Sequence, residues 1–530
     1  MKLMNQIKHV IFCIIDDVRS DQFFKLIDDG SLPNLKQLMN SGIHSKNCIT
    51  DFPSITYPTQ VSMLTGTYTG DFLKEPCHGI PAYNWMDRNV SPPYLRSYNS
   101  LGSDERIQIY KLNDDLGENC KTLFEMIGEG NTASISQFIS RGADYIFPER
   151  KTKLIMYYLL ITHSHNINKY IFKANLVAVK KLLNTFENPK KLFDTKEAPI
   201  ASNLLFISSD ILMHLYGFDS EIYSRNLYHI DKVLGILLKG LEKLGYGEET
   251  AIVICSDHGN YKANTLGDLT PFFNENELTH YHPRKKINGN MNLSGFGSVG
   301  FFNFKSNSTS PEIKWNHPTT NELENYGPKK INLLQKLLTI NGINLMYYRG
   351  DENTYKKGKI HLKRIDQKAG KIINGFIEYR GNGKDFKTKY SIDNSDLDIF
   401  NYINDENASK LIDGRFHSIR EWLDATYHID YPLYTDLISR NFKNPRSADI
   451  ILSTCGDVAF NIKHGKKVNN NLYLHDIGLK KSAAVPLVIG GSEEIPEKEV
   501  SHCKITDIVP TLLKMLGKKP HQSVVGESLI

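Results

Sequence analysis

Three short runs constrain this chain more than anything else in it. His9 to Ile15, Asn203 to Ile207 and Thr250 to Ser256 are nearly continuous apolar, β-rich stretches. A half-exposed strand would alternate polar and apolar residues, so such runs fit strands covered on both faces, the normal state of a parallel sheet. Each run leads directly into acids: Asp16-Asp17, Asp210 with His214, and Asp257-His258-Gly259. Ligands of open α/β sheets gather at the carboxyl ends of strands. A turn or helix cap explains Asp16 and Asp17 equally well when they are taken alone. Asp210 and His214 share a face if their segment is helical, but that spacing is common by chance. Asp257 beside His258 is the stronger signal, because packing gives little reason to place both there.

The stretch from Asp51 to Gly66, DFPSITYPTQVSMLTG, carries a second signal. Pro58 suits the first turn of a helix, where its missing N–H costs nothing. Thr56 then stands at a helix N-terminus, whose free N–H groups and partial positive charge favour an anion such as phosphate. A hydroxyl at that place is either an N-cap or a nucleophile, and in isolation the cap is the commoner case.

Size and charge narrow the classes. The 530 residues, 40% hydrophobic and 23% charged, suffice for a large core and more than one domain. A net charge of +5 is small for this length and shows no basic stripe of the kind nucleic-acid binding needs. Seven scattered cysteines without C-x-x-C pairs fit free thiols in a reducing compartment. No signal peptide or membrane span is read from the sequence, so the expectation is a soluble, cytoplasmic protein acting on a small molecule.

Along the chain, amphipathic helices are expected at Pro33–Met39, Asn175–Phe186 and Ser224–Leu244, with a final helix at Ile505–Leu516. From about Thr270 to Pro445 the buried parallel-strand runs disappear, and residues 343–362 and 372–390 read as antiparallel strands around Gly-rich turns. The expected organisation is therefore a core in two parts, 1–270 and 446–530, around an inserted α+β cap at 271–445. The central sheet is expected to resume at Asp449–Ser453. His163 with His165 and His280 with His282 form two H-x-H pairs that can bind metal but are more often exposed loop histidines.

Asp16, Asp210, His214, Asp257, His258 and His475 together can fill two tetrahedral sites. Mixed imidazole and carboxylate ligation points to two zinc ions, with manganese or iron as alternatives. Two such ions form the usual clamp for in-line displacement at phosphorus, with Thr56 as nucleophile and a phospho-threonine intermediate.

These motifs resemble the alkaline phosphatase superfamily, specifically its type I phosphodiesterase/nucleotide pyrophosphatase branch. Residues 14–21, IIDDVRSD, are similar to the family's first-strand motif, which makes Asp16 the ligand and sets Asp17 where glycine is usual. Residues 52–59, FPSITYPT, resemble the nucleophile motif with Thr56 at the nucleophile. His78-Gly79-Ile80 matches the following His-Gly-Ile. Asn84 corresponds to the family's phosphate-binding asparagine, with one extra residue between it and that motif. The resemblance implies an alkaline-phosphatase-like three-layer core. It places Asp16, Thr56, Asp257 and His258 around one zinc, and Asp210, His214 and His475 around the other. At His475 the next residue, Asp476, stands where the family usually has glycine.

The function implied is metal-dependent hydrolysis of a phosphodiester or nucleotide pyrophosphate bond. A phosphomonoesterase or phosphonate hydrolase would use the same site. A phosphosugar mutase and a non-catalytic binding protein are weaker alternatives. A sulfatase is disfavoured, because Cys48-Ile-Thr-Asp-Phe52 lacks the Pro and Arg that formylglycine formation requires.

Overall fold

The computed structural model describes residues 7–98, 107–150, 153, 156, 166–307, 315–366, 370–393, 398–461 and 471–530. A nine-stranded mixed sheet forms the centre. Its order runs Lys498–Glu499, Ile43–Ile49, Ala484–Gly490, Thr250–Cys255, His9–Ile15, Ala201–Phe206, Thr132–Ile135, Tyr145–Phe147, with Cys503–Lys504 also on Ile43–Ile49. The strand His9–Ile15 pairs in parallel with Ala201–Phe206 on one side and Thr250–Cys255 on the other. The three apolar runs are thus neighbours at the middle of the sheet, and their acidic ends emerge along one edge. The expected α/β class with a mostly parallel sheet is what the chain adopts.

Alternation along one strand shows why three layers form. Val10, Phe12 and Ile14 pack with Val61, Leu64, Val509 and Leu512 on one face. Ile11, Cys13 and Ile15 pack with Val179, Leu182, Leu227 and Leu234 on the other. A strand apolar at every position can be stable only when both faces are covered. The helices Ile167–Glu187 and Glu221–Lys243 cover the second face, and Ile508–Met515 helps cover the first.

A second, eight-stranded antiparallel sheet holds most of the inserted region. Its order is Met291–Phe296, Val299–Phe304, Ile450–Ser453, Leu345–Arg349, Lys357–Asp366, Lys371–Arg380, Lys387–Ile392, His417–Ser418. The run Ile450–Ser453, expected to resume the central sheet, instead lies between Val299–Phe304 and Leu345–Arg349 in this one. A centrally placed antiparallel strand buried on both faces reads in sequence like a buried parallel strand, since each lacks a polar face.

The helix Tyr434–Lys443, buried along its whole length, packs against the second sheet. Asn441 Nδ2 donates to the carbonyl oxygens of Phe52 and Pro81, and Lys443 Nζ meets Glu75 at 2.8 Å. The insert is therefore packed directly onto the loops that flank Thr56. His163 and His165 lie outside the described residues. The rings of His280 and His282 stack on each other at 5.6 Å. All seven cysteines are free thiols, six of them buried. Among the described residues no helix is long and apolar enough to cross a membrane.

Candidate functional site

Thr56 opens the helix Thr56–Thr65, with Ile55 at the cap position and no side-chain cap. Its hydroxyl is therefore free of capping work. Thr56 Oγ1 lies 3.1 Å from Nε2 of His258. His258 follows the central strand Thr250–Cys255, and its Nε2 stands 3.6 Å from Asp16 Oδ1 and 3.7 Å from Asp257 Oδ2. Asp16, Asp257 and His258 form one compact group able to hold a cation.

Asp210, His214 and His475 form a second. The segment after Ala201–Phe206 is helical, Ser208–Tyr216, so Asp210 and His214 do share a face, with His214 Nε2 at 3.2 Å from Asp210 Oδ1. His475 comes from far along the chain. A short antiparallel ladder pairs Tyr473–Leu474 with Tyr261–Lys262, just past His258, and delivers His475 to within 3.8 Å of Asp210 Oδ1. Asp476 turns the other way and accepts from Tyr261 Oη and from the N–H groups of Ser298 and Val299. It ties the ladder to the second sheet.

The first two acids differ in backbone and surroundings. Asp17 has φ of +63°, a left-handed conformation that favours glycine, and Asn260 Nδ2 donates to its carboxylate at 2.7 Å. Asp17 Oδ1 lies 3.9 Å from His258 Nδ1, and Asp16 is the one whose carboxylate clusters with Asp257 and the Nε2 side of His258.

The residues present fit divalent cations on three observations. Each histidine turns Nδ1 to a backbone carbonyl, His258 to Gly259, His214 to Tyr473 and His475 to Ser54, which leaves Nε2 facing the site. Among the described residues, Oδ1 of Asp16 is buried without a hydrogen-bond partner, and Oδ1 of Asp210 meets only the imidazoles of His214 and His475. The carboxylates also crowd one another. Burial, reinforced by Asp257 and Asp210, pushes the Asp16 carboxyl well above its usual range. Burial takes Asp257 up to about 6 against hydrogen bonds from Gln60 and the Asp17 N–H. Burial holds His258 neutral, down to about 4, and burial with the adjacent His258 takes His475 to about 3. At Asp210 burial is outweighed by His214 and its fellow imidazoles, which draw the carboxyl to about 2. Asp210 in turn raises His214 against burial, while neutral His258 and His475 beside packed carboxylates are a donor set that cations stabilise.

Two further residues touch this cluster without having been singled out from sequence. Gln60 Nε2 donates to Asp257 Oδ2 at 2.7 Å and fixes that carboxylate. Tyr83 Oη lies 2.8 Å from Thr56 Oγ1 and accepts from the Thr56 N–H at 3.3 Å. The extra residue after His78-Gly79-Ile80 was the available signal, because it leaves Tyr83 where the family spacing puts asparagine. Asn84 itself is buried at the start of the strand Asn84–Asp87, opposite Ser97. His78 is a brace, its Nε2 3.0 Å from Ser62 Oγ on the helix that Thr56 opens.

A mostly parallel α/β core with two carboxylate–imidazole groups beside a helix-terminal hydroxyl is an alkaline-phosphatase-like arrangement. The chain belongs to the type I phosphodiesterase / nucleotide pyrophosphatase family, whose profile matches residues 10–316. It is 25% identical over 274 residues to an uncharacterized pyrophosphatase/phosphodiesterase of Schizosaccharomyces pombe, covering 51% of this chain and 49% of that protein. It is 25% identical over 255 residues to human ectonucleotide pyrophosphatase/phosphodiesterase family member 5, covering 47% and 44%. The chain thus spans about half the length of these relatives, and His475 lies beyond the profile match. Among solved structures, murine ectonucleotide pyrophosphatase/phosphodiesterase 5 superposes with a TM-score of 0.56 at 13% identity, covering 97% of this chain and 96% of that one. An inactive variant of the murine protein, in complex with AMP, superposes with a TM-score of 0.55.

Proposed function

We propose that the protein hydrolyses a phosphodiester or nucleotide pyrophosphate bond through a phospho-threonine on Thr56. The observation that carries this is the position of Thr56 Oγ1, 3.1 Å from His258 Nε2 of the first ligand group, at an uncapped helix N-terminus. Asp16, Asp257 and His258 would hold one divalent ion with Thr56, and Asp210, His214 and His475 the other. Zinc is the ion this donor set favours. When bound, such ions lower the pKa of the nucleophile and neutralise phosphoryl oxygens.

The chain's own part is to place the reacting groups. The deprotonated Thr56 oxygen bonds to phosphorus as the bond to the leaving oxygen breaks. Water then attacks the same phosphorus, the bond to Thr56 breaks, and the hydroxyl is regenerated as a phosphate monoester departs. The N–H groups at the start of Thr56–Thr65 face the developing anion. AMP bound to the murine relative supports a nucleoside monophosphate as the product that stays behind. The test is turnover of bis-nitrophenyl phosphate against nitrophenyl phosphate by the zinc-loaded protein. Diester preference supports the proposal; turnover of the monoester alone defeats it in favour of a monoesterase.

A further inference from the structure

Tyr83 is the residue nearest the nucleophile that no motif accounts for. Its hydroxyl contacts both Thr56 Oγ1 and Thr56 N–H, so it sits on the helix end where a phosphoryl group must arrive. Its ring is clamped edge-on by Tyr57, centroids 5.2 Å apart and planes 84° from parallel. Tyr57 is held in turn by Tyr98 and Phe138, at 5.8 and 5.5 Å. On its other side Tyr83 lies 6.3 Å from the ring of His475. The phenol is thus held from both sides.

The local ladder separates Tyr83 from Asn84. Tyr98 N–H donates to the Tyr83 carbonyl at 3.0 Å, which continues the pairing of Asn84–Asp87 with Tyr94–Ser97 one residue back. Tyr83 lies in the bend just before that strand, whereas Asn84 is its first residue, opposite Ser97. The hydroxyl in contact with Thr56 is that of Tyr83.

We propose that Tyr83, rather than Asn84, is the side-chain donor to a non-bridging phosphoryl oxygen in the transition state. This rests on the phospho-threonine reading above. Once Thr56 Oγ1 is bonded to phosphorus it no longer needs the phenol. The O–H of Tyr83 and the N–H of Thr56, now paired with each other, both turn to the oxygen that develops charge. Donors arranged before the reaction contribute most where they meet charge that appears only in the transition state.

The experiment compares Tyr83→Phe, Asn84→Ala and the wild type, each zinc-loaded, for diester turnover, ion content and binding of orthovanadate, which mimics the pentacoordinate phosphorus. Tyr83→Phe is expected to lower kcat by about 10²- to 10³-fold, with ion content unchanged, orthovanadate bound at least tenfold more weakly, and a loss larger than that of Asn84→Ala. Wild-type kcat and orthovanadate affinity in Tyr83→Phe, or a larger loss in Asn84→Ala, would overturn the assignment. If the wild type turns over no diester, the orthovanadate comparison alone decides. A weakened Tyr83→Phe then keeps the donor role while the diesterase reading falls; unchanged binding removes both. If Tyr83→Phe does not fold, Tyr83→Gln and Tyr83→Leu replace it. The amide must outperform the alkyl chain, and equal rates overturn the proposal.

Discussion

His258 and His475 stack face to face, with ring centroids 3.9 Å apart and planes only 13° from parallel. They belong to different ligand groups, so the stack couples the two candidate ion sites. It is tolerable because burial keeps both rings neutral; two imidazolium rings in this contact would repel.

His475→Ala removes a ligand from one group and the stacking partner from the other. The expected result is one ion equivalent fewer by elemental analysis and a weaker hold on the remaining ion, measured by competition with a chelator. Unchanged stoichiometry would take His475 off the ligand set.

Thr56→Ala deletes the proposed nucleophile and leaves every carboxylate and imidazole in place. Turnover is expected to fall by about 10⁴-fold or more, with ion content and phosphate binding retained. Thr56→Ser keeps the oxygen and should keep measurable activity. Near-normal rates in Thr56→Ala would mean that the hydroxyl is only structural.

Away from the site, Arg88 joins the first core segment to the second sheet. Its Nη2 meets Asp449 Oδ2 at 2.6 Å, and His317 Nδ1 meets the other carboxylate oxygen at 2.6 Å. Burial would raise Asp449, but Arg88 and then His317 hold it below the usual range. Burial, helped by Arg88 and Arg349, takes His317 down to about 4. Both shifts have the same sign for stability. As pH falls below about 6.5 the unfolded histidine takes up a proton that the folded one refuses until about 4, so stability is lost across that window. The depressed Asp449 contributes stability above about 3.9 that is lost as pH falls further. Urea midpoints measured from pH 7 to 4 should decline, and His317→Gln should flatten that decline. An identical slope in the variant would place the titrating group elsewhere.

Gly79, within His78-Gly79-Ile80, has φ of +74°, and a Cβ there would stand 2.6 Å from Cγ of Phe72. Gly79→Ala meets backbone strain and a clash together, at a cost of about 1–3 kcal/mol. Denaturant unfolding measures it. Because this turn leads to Tyr83, activity per folded molecule should fall as well.

The helix that Thr56 opens, the three central strands and the residue types at their ends were legible because each is a local pattern: an unbroken apolar run, a proline in a first turn, an acid beside an imidazole. Asp210 and His214 converge through the pitch of one helix. These features need only a few consecutive residues to be specified.

The remaining features are long-range. Asp16 and Asp17 are chemically identical, and only the left-handed turn at Asp17 separates them. Ile450–Ser453 has the same composition in either sheet, and its neighbours chose for it. His475 reaches Asp210 through a ladder with Tyr261–Lys262, and the bend before Asn84–Asp87 carries the Tyr83 hydroxyl onto Thr56. The chain by itself determined which chemistry it carries and that a covered parallel sheet would present it. Tertiary structure decided which side chain meets Thr56, because backbone direction at a distant pairing leaves no trace in local residue pattern.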